Sequence, residues 1–111
     1  GFQMDMTLNK AADHRLEGAM AGGYADDRIP GEGTINDYLS VINYRRSASC
    51  LELYVRDCED ASEAFDKIKE KLDKRFQSKT DRKCSLEYYR SLGMAHREKD
   101  GKQYFVVILM R

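Results

Sequence analysis

The amino-acid sequence predicts an α+β fold: a three-layer α-β-α sandwich with a mostly antiparallel sheet, a C-terminal β-hairpin and helices on both faces. The first observation is the hairpin. Residues 88–96 are an extended run, Lys99-Asp100-Gly101 is a turn that closes hairpins, and residues 104–110 are β-branched and aromatic without interruption. The second is that such an uninterrupted strand is normally buried on both faces, so helices must cover both sides of the sheet.

The N-terminal half of the chain predicts two helices. From Thr7 to about Gly22 apolar residues recur at helical spacing, and Gly22-Gly23 ends that helix. Residues 23–33 hold the only proline and several glycines, which predicts a loop. Thr34 can then cap a short helix with one apolar side. The apolar positions of the two helices are Leu8, Ala11, Ala12, Leu16, Ala19 and Met20, then Ile35, Tyr38, Leu39 and Ile42.

The C-terminal half predicts a strand, a helix and the hairpin. Residues 49–56 are β-prone and form the first predicted strand. Asp60 with Glu63 resembles a capping box that begins the most regular helix of the chain. Its apolar stripe is Ala61, Ala64, Phe65, Ile68, Leu72 and Phe76. This order of elements is most simply satisfied by an antiparallel or mixed sheet covered by helices.

Length and composition predict that residues 1–111 form a single domain. Lys plus Arg equals Asp plus Glu, at 19 each, so net charge gives no argument for nucleic acid or an anionic membrane as partner. No apolar stretch approaches the roughly 20 residues that a membrane span needs. The first residues show no signal-peptide pattern, and Gly1 resembles a cleavage scar, which is consistent with removal of an upstream segment.

Few residues point to catalysis or metal binding. His14 lies off the apolar stripe and is expected at the surface, and His96 has no recognisable nucleophile to serve. Asp26, Asp27 and Glu32 crowd one loop, but their spacing matches no EF-hand, so a polar loop is favoured over a calcium site. No metal ligand and no cofactor is predicted.

Two surface patterns leave alternatives open. Residues 67–83 carry a local basic excess that could contact phosphate, an anionic glycan or a membrane, although a charged helix face with intrahelical pairs is favoured. Tyr44, Tyr54, Tyr88 and Tyr89 could line a groove for sugars or lipids, or could simply be half-buried.

The chain has three cysteines, Cys50, Cys58 and Cys84, and no two of them form a CxxC motif. A structural zinc site needs about four ligands, so such a site is not expected. If the protein is exported, one disulfide can form, with Cys58–Cys84 the favoured pairing. Buried thiols in a reduced setting are the alternative.

Four segments together resemble the CAP superfamily, which comprises the cysteine-rich secretory, antigen 5 and pathogenesis-related proteins, and especially its compact bacterial SCP-like branch. The matching segments are residues 8–24, 30–39, 60–75 and the closing hairpin with Leu92-Gly93-Met94-Ala95 and residues 100–107. The resemblance implies a single SCP-like domain over residues 1–111. The first helix of that family, upstream of Leu8, is absent or trimmed.

The resemblance also implies where a cavity should lie and how it departs from the family pattern. That cavity carries two histidines and two acidic residues. Asp27 stands in place of the first histidine, and Lys74 in place of the second, or Lys71 if no gap is allowed. Glu52 is the surviving acid of the Gly-Glu-Asn strand motif, and Glu63 or Asp66 can occupy the place of the other.

These replacements predict that the metal site of the family is lost, because a lysine ammonium has no lone pair for a metal. The predicted ligand cleft is therefore made of Asp27, Glu52, Glu63 and Lys74. Asp27 and Lys74 can form an ion pair across it.

The function expected from the resemblance is a non-catalytic binding or interaction module, bacterial and secreted or held at the cell envelope, with a cell-wall glycan, a lipid or a protein as partner. The competing class is a hydrolase that uses Glu52 and Asp27 as an acid–base pair. A third class is an intracellular regulatory domain with reduced thiols.

Overall fold

The protein is an α-β-α sandwich built on a mixed sheet. A computed structural model describes residues 3–22, 33–42, 44, 50–76 and 82–111. Its strands and helices, in chain order, are β1 (Gln3–Met4), α1 (Met6–Gly22), α2 (Ile35–Val41), β2 (Cys50–Cys58), α3 (Ala61–Arg75), β3 (Ser91–Lys99) and β4 (Lys102–Met110). The strand order is β1-β3-β4-β2, with β4 antiparallel to both neighbours and β1 parallel to β3. The predicted fold class is confirmed.

The C-terminal hairpin is closed by the two-residue turn Asp100-Gly101. Both residues have positive φ, 53° and 77°, as the tight Asp-Gly hairpin turn requires. The pairing runs from Lys99 opposite Lys102 to Ser91 opposite Met110. The predicted start of the first hairpin strand at residue 88 was wrong, because Leu86–Tyr88 form a turn of 3-10 helix that is capped by the side chain of Ser85.

The central strand β4 is buried on both faces, as predicted from its unbroken apolar run. Val106, Ile108 and Met110 pack into a cluster with α1 and α2, while Val107 and Leu109 pack with α3. β2 divides in the same way, with Leu51, Leu53 and Val55 toward α3. The two sides are called the α1/α2 face and the α3 face.

On the α1/α2 face, helix α1 lies unusually close to the sheet at Gly93. A Cβ at this position would lie 2.3 Å from the carbonyl carbon of Leu8 and 2.4 Å from its Cβ. No side chain fits there, so glycine sets the distance between α1 and β3.

Helix α3 begins as its sequence predicts but buries fewer of its apolar residues than expected. The Asp60 side chain accepts a hydrogen bond from Glu63 N at 2.9 Å. The Glu63 carboxylate accepts from the backbone N–H of Glu59 and not from that of the N-cap Asp60, so the second bond of a capping box is replaced. Ala64, Ile68 and Leu72 are buried. The predicted burial of Phe65 was wrong: it is 47% exposed, because it lies at the edge of the stripe over an open pocket of about 360 Å³.

Candidate functional site

The predicted cleft residues lie on different sides of the sheet. Glu52, on β2, faces α1, whereas Glu63 and Lys74 belong to α3 on the opposite face. Asp27 lies outside the described residues. The structure therefore does not bring Glu52, Glu63 and Lys74 together, and their contact with a ligand stays a prediction.

Glu52 is held by Arg15 in the interior of the α1/α2 face. Arg15 Nε donates to Glu52 Oε2 at 2.7 Å, and Arg15 Nη2 donates to Glu52 Oε1 at 2.8 Å. Arg15 is 1% exposed and Glu52 4% exposed. Arg15 Nη1 also donates to the carbonyl of Gly33 at 2.9 Å, directly before the N-cap Thr34 of α2. One guanidinium thus joins α1, β2 and the start of α2.

This geometry determines what Glu52 can do chemically. Both carboxylate oxygens accept charge-assisted hydrogen bonds from one guanidinium, which is a strong hydrogen-bonding arrangement for a carboxylate. Taking both charges out of water is costly, and the close bidentate contact, together with the bond from Arg15 to Gly33, offsets that cost. The carboxylate is therefore placed to hold two layers of the fold together.

Arg15 is the residue that sequence reasoning missed. It lies within the apolar stripe of α1, four residues after Ala11 and next to Leu16, and all three are buried. An arginine in that position of a helical stripe signals a buried ion pair, because charged side chains are almost never fully buried without a partner.

Glu63 and Lys74 take part in local interactions of α3. Glu63 Oε1 lies 3.5 Å from Lys67 Nζ, and Lys74 Nζ lies 3.2 Å from Glu70 Oε1, both with i, i+4 spacing. Lys74 is 76% exposed. These are the intrahelical pairs that the charge pattern of residues 67–83 predicted. The Asp27–Lys74 ion pair stays a hypothesis.

The two histidines are both exposed. His14 stacks on Tyr38 with ring centroids 4.7 Å apart, and His96 lies against Phe105 and hydrogen-bonds to Gln103. In the part of the chain that the structure describes, no three His, Cys, Asp or Glu side chains are grouped to hold a metal ion.

Cys50 and Cys58 are buried free thiols at opposite ends of β2. Burial is the main cause that raises the pKa of both, in Cys50 to about 12. The Cys84 side chain lies outside the part of the chain that the structure describes, so the Cys58–Cys84 pairing stays a prediction.

A pocket of about 250 Å³ opens where β2 begins, and we call it the β2 pocket. Its lining residues are Cys50, Leu51, Arg75, Phe76, Lys83, Tyr88 and Tyr89. Tyr89 OH donates to the carbonyl of Lys83 at 2.9 Å, and the rings of Tyr88 and Tyr89 meet edge to face at 5.1 Å. Arg75 Nη1 donates to the carbonyl of Glu52 at 3.5 Å. The pocket thus combines aromatic rings with two cationic side chains.

The four tyrosines proposed for a groove separate into two regions. Tyr88 and Tyr89 line the β2 pocket, whereas Tyr44 and Tyr54 pack with the α1/α2 face. Only one pair therefore shares a concave surface.

Comparison with known proteins assigns the fold. No family model matches the sequence, and a search of curated proteins found no match. Among solved structures, the chain is similar to an extracellular protein containing an SCP domain from Bacillus anthracis strain Ames, with a TM-score of 0.61 and 19% identity. The match covers 99% of this chain and 33% of that protein, so this chain spans one third of its length. The fold is therefore SCP/CAP-like.

None of the helices in the described ranges is long and apolar enough to cross a bilayer.

Proposed function

We propose that this chain is a non-catalytic SCP/CAP-like binding module of the bacterial branch, extracellular or held at the cell envelope. The SCP/CAP-like fold over nearly the whole chain supports the class. The structural neighbour is described as an extracellular protein, which supports the location.

The observation that carries the proposal is the state of Glu52. A carboxylate that is 4% exposed and doubly bonded to a guanidinium is a poor proton acceptor for a substrate and a poor metal ligand. This supports a structural role for the acid that matches the family motif, and with it the loss of the metal site.

The β2 pocket is the ligand site that the geometry supports best. Aromatic rings provide flat apolar surfaces, and Arg75 and Lys83 provide donors around them. Sugars offer apolar ring faces and many hydroxyl oxygens, so a cell-wall glycan is the partner we propose. A lipid or a protein partner is an outcome of the test.

A hydrolase that uses Glu52 and Asp27 remains the competing function. It requires Glu52 to leave Arg15, since two carboxylates work as acid and base only when their pKa values are pushed apart.

Peptidoglycan sacculi test the proposal directly. Wild-type protein should co-sediment with sacculi and leave the turbidity of the suspension unchanged. Tyr88→Ala should lose at least half of the binding, because it removes one aromatic wall of the β2 pocket. Phe65→Ala removes an exposed aromatic ring outside that pocket and should bind as wild type does.

Three results would contradict it. Clearing of the suspension by the wild type would establish a hydrolase. Binding by Tyr88→Ala equal to wild type would remove the β2 pocket as the site. Binding to phosphatidylglycerol vesicles but not to sacculi would replace the glycan with a lipid.

Zinc tests the lost metal site. A ligand at about 100 times its dissociation constant adds roughly 2.7 kcal/mol to stability. We expect the melting temperature of the thiol-blocked protein to be unchanged by zinc. A clear rise would show that a metal site has been retained.

A further inference from the structure

One end of the sheet is basic although the chain as a whole is neutral. At the end where β2 begins and β4 finishes lie the cationic residues Arg75, Arg82, Lys83, Arg90 and Arg111, which we call the basic end. Each of these residues is exposed. The positive charge is therefore concentrated where the β2 pocket opens.

Several cations elsewhere in the described part of the molecule differ, because carboxylates accompany them. Ion pairs at the surface away from the basic end include Arg56–Asp57, Lys67–Glu63, Lys74–Glu70, Arg97–Asp13 and Lys102–Glu59. Over the described ranges of the chain, no carboxylate lies within 4.0 Å of the side-chain nitrogens of Arg82, Arg90 or Arg111. Three guanidinium groups are thus available to an external anion.

A second pocket of about 480 Å³ continues the basic end toward the α1/α2 face. Its lining residues are Gln3, Asp5, Tyr44, Arg90, Ser91, Met110 and Arg111. Its one acid, Asp5, accepts hydrogen bonds from Leu8 N at 3.0 Å and from Tyr44 OH at 2.6 Å. Asp5 is therefore engaged in holding the start of α1.

Arg111 and Tyr88 form the boundary between the two pockets. The guanidinium carbon of Arg111 lies 4.4 Å from the centre of the Tyr88 ring, and Arg111 Nη1 donates to the carbonyl of Tyr88 at 3.3 Å. The Arg82 guanidinium lies 5.8 Å from the same ring. One aromatic surface is therefore bordered by two guanidinium groups, and it lies between two concavities.

From this arrangement we infer that the basic end binds an anionic glycan, with carboxylated sugar residues seated in both pockets across Arg111 and Tyr88. The inference rests on the proposed binding function and specifies its ligand. Planar guanidinium groups pair bidentately with carboxylates, and Tyr88 provides a face for a sugar ring. Two pockets at one edge suit a chain of several sugars rather than a single small anion.

Calorimetric titration with trigalacturonate and with its methyl ester tests this inference, because the two trisaccharides differ only at their carboxyl groups, which are charged in the acid and neutral in the ester. The acid should bind to wild-type protein at least tenfold more tightly than the ester. The double variant Arg90→Gln/Arg111→Gln should lose about tenfold or more in affinity, since hydrogen bonds to charged groups are strong. In about 1 M salt, where the screening length falls to about 3 Å, the preference should largely vanish.

Lys10→Gln/Lys99→Gln is the matched control. It removes the same charge from exposed positions on α1 and at the hairpin turn, and it should bind as wild type does. Equal affinity for acid and ester, equal loss in both double variants, or binding only to phosphatidylglycerol vesicles would overturn the inference.

Failure of the inference can be distinguished from failure of the proposed function. Cleavage of trigalacturonate, seen as smaller products by mass spectrometry, would overturn the non-catalytic function and leave the anionic site standing. Binding of sacculi that neutral chitotetraose competes away, with no response to trigalacturonate, would overturn the anionic ligand and leave the binding function standing.

Discussion

The two faces of the sheet are stabilised in different ways although they share strands β2 and β4. The α3 face is a layer of apolar side chains such as Leu53, Ile68 and Leu72. The α1/α2 face has an apolar cluster too, but it also encloses the Arg15–Glu52 pair and the close approach of α1 to Gly93. One face depends on many interchangeable contacts, the other also on a few that no single replacement preserves.

The difference is clearest at Glu52, whose carboxylate is buried against Arg15 on the α1/α2 face. Glu52 lies between Cys50 and Tyr54 on the same face of β2, and both of these neighbours pack into the apolar cluster of the α1/α2 face. A carboxylate on that face is tolerated only with its guanidinium.

The largest effect is expected from removing half of the buried pair. Arg15→Met should lower the free energy of unfolding by about 3–5 kcal/mol, because it leaves the buried Glu52 carboxylate without its guanidinium. Arg15→Met/Glu52→Leu should recover most of that loss. Urea denaturation of the wild type, Arg15→Met, Glu52→Leu and the double variant measures the coupling between the two residues. Losses that simply add in the double variant would show that the pair is not coupled.

On the α3 face the largest single effect should come from Leu72→Ala. Leu72 is fully buried between α3 and the sheet, so truncation leaves a cavity and should cost about 2–5 kcal/mol. Unlike the ion pair, this site should accept a volume-conserving replacement, and Leu72→Met should cost less than about 1.5 kcal/mol. Equal losses in Leu72→Ala and Leu72→Met would contradict the proposed interchangeability of contacts on this face.

Gly93→Ala tests the close approach on the α1/α2 face. The added methyl group would meet backbone atoms of Leu8, which cannot rotate away, so a loss of about 1–3 kcal/mol is expected. Gly101→Ala is the useful control, since its Cβ would meet no atom within 4 Å and any loss there reflects the positive φ alone. Thermal melts of both variants separate the two causes. A smaller loss at Gly93 than at Gly101 would show that α1 can move.

The thiol of Cys50 should make stability depend on alkaline pH. Its folded-state pKa is raised from 9.0 to about 12. The protonated, buried thiol therefore contributes to the free energy of unfolding below pH 9, and this contribution is lost as pH rises toward 12. At pH 10 the unfolded chain has released most of this proton, and wild type should lose about 1.4 kcal/mol more than Cys50→Ala. Urea denaturation at pH 8 and pH 10 measures this difference. Parallel losses in the two proteins would exclude Cys50 as the cause.

The sequence predicted the α3 face more completely than the α1/α2 face, and the reason is physical. Periodicity and capping are local, so the Asp60 cap, the Ile68 and Leu72 stripe and the Asp100-Gly101 turn could all be predicted. The Arg15–Glu52 contact joins residues 37 positions apart, and no local pattern identifies Glu52 as the partner of Arg15. Strand β1 has only two residues, Gln3 and Met4, which is too few for any periodicity to be visible.

The smallest effect expected is at the helix caps, one on each face. The Asp60 carboxylate accepts from Glu63 N at 2.9 Å, and the Thr34 hydroxyl accepts from Asp37 N at 3.4 Å. Asp60→Ala should cost about 1 kcal/mol, because it removes a short bond and a negative charge at a helix N-terminus. Thr34→Ala should cost less, since its bond is longer and α2 is already held at its start by Arg15 through the Gly33 carbonyl.

Asp60→Asn, which keeps the acceptor, should stay within a few tenths of a kcal/mol of wild type in urea denaturation. A larger loss for Thr34→Ala than for Asp60→Ala would show that α2 depends on its cap and that Arg15 does not hold it.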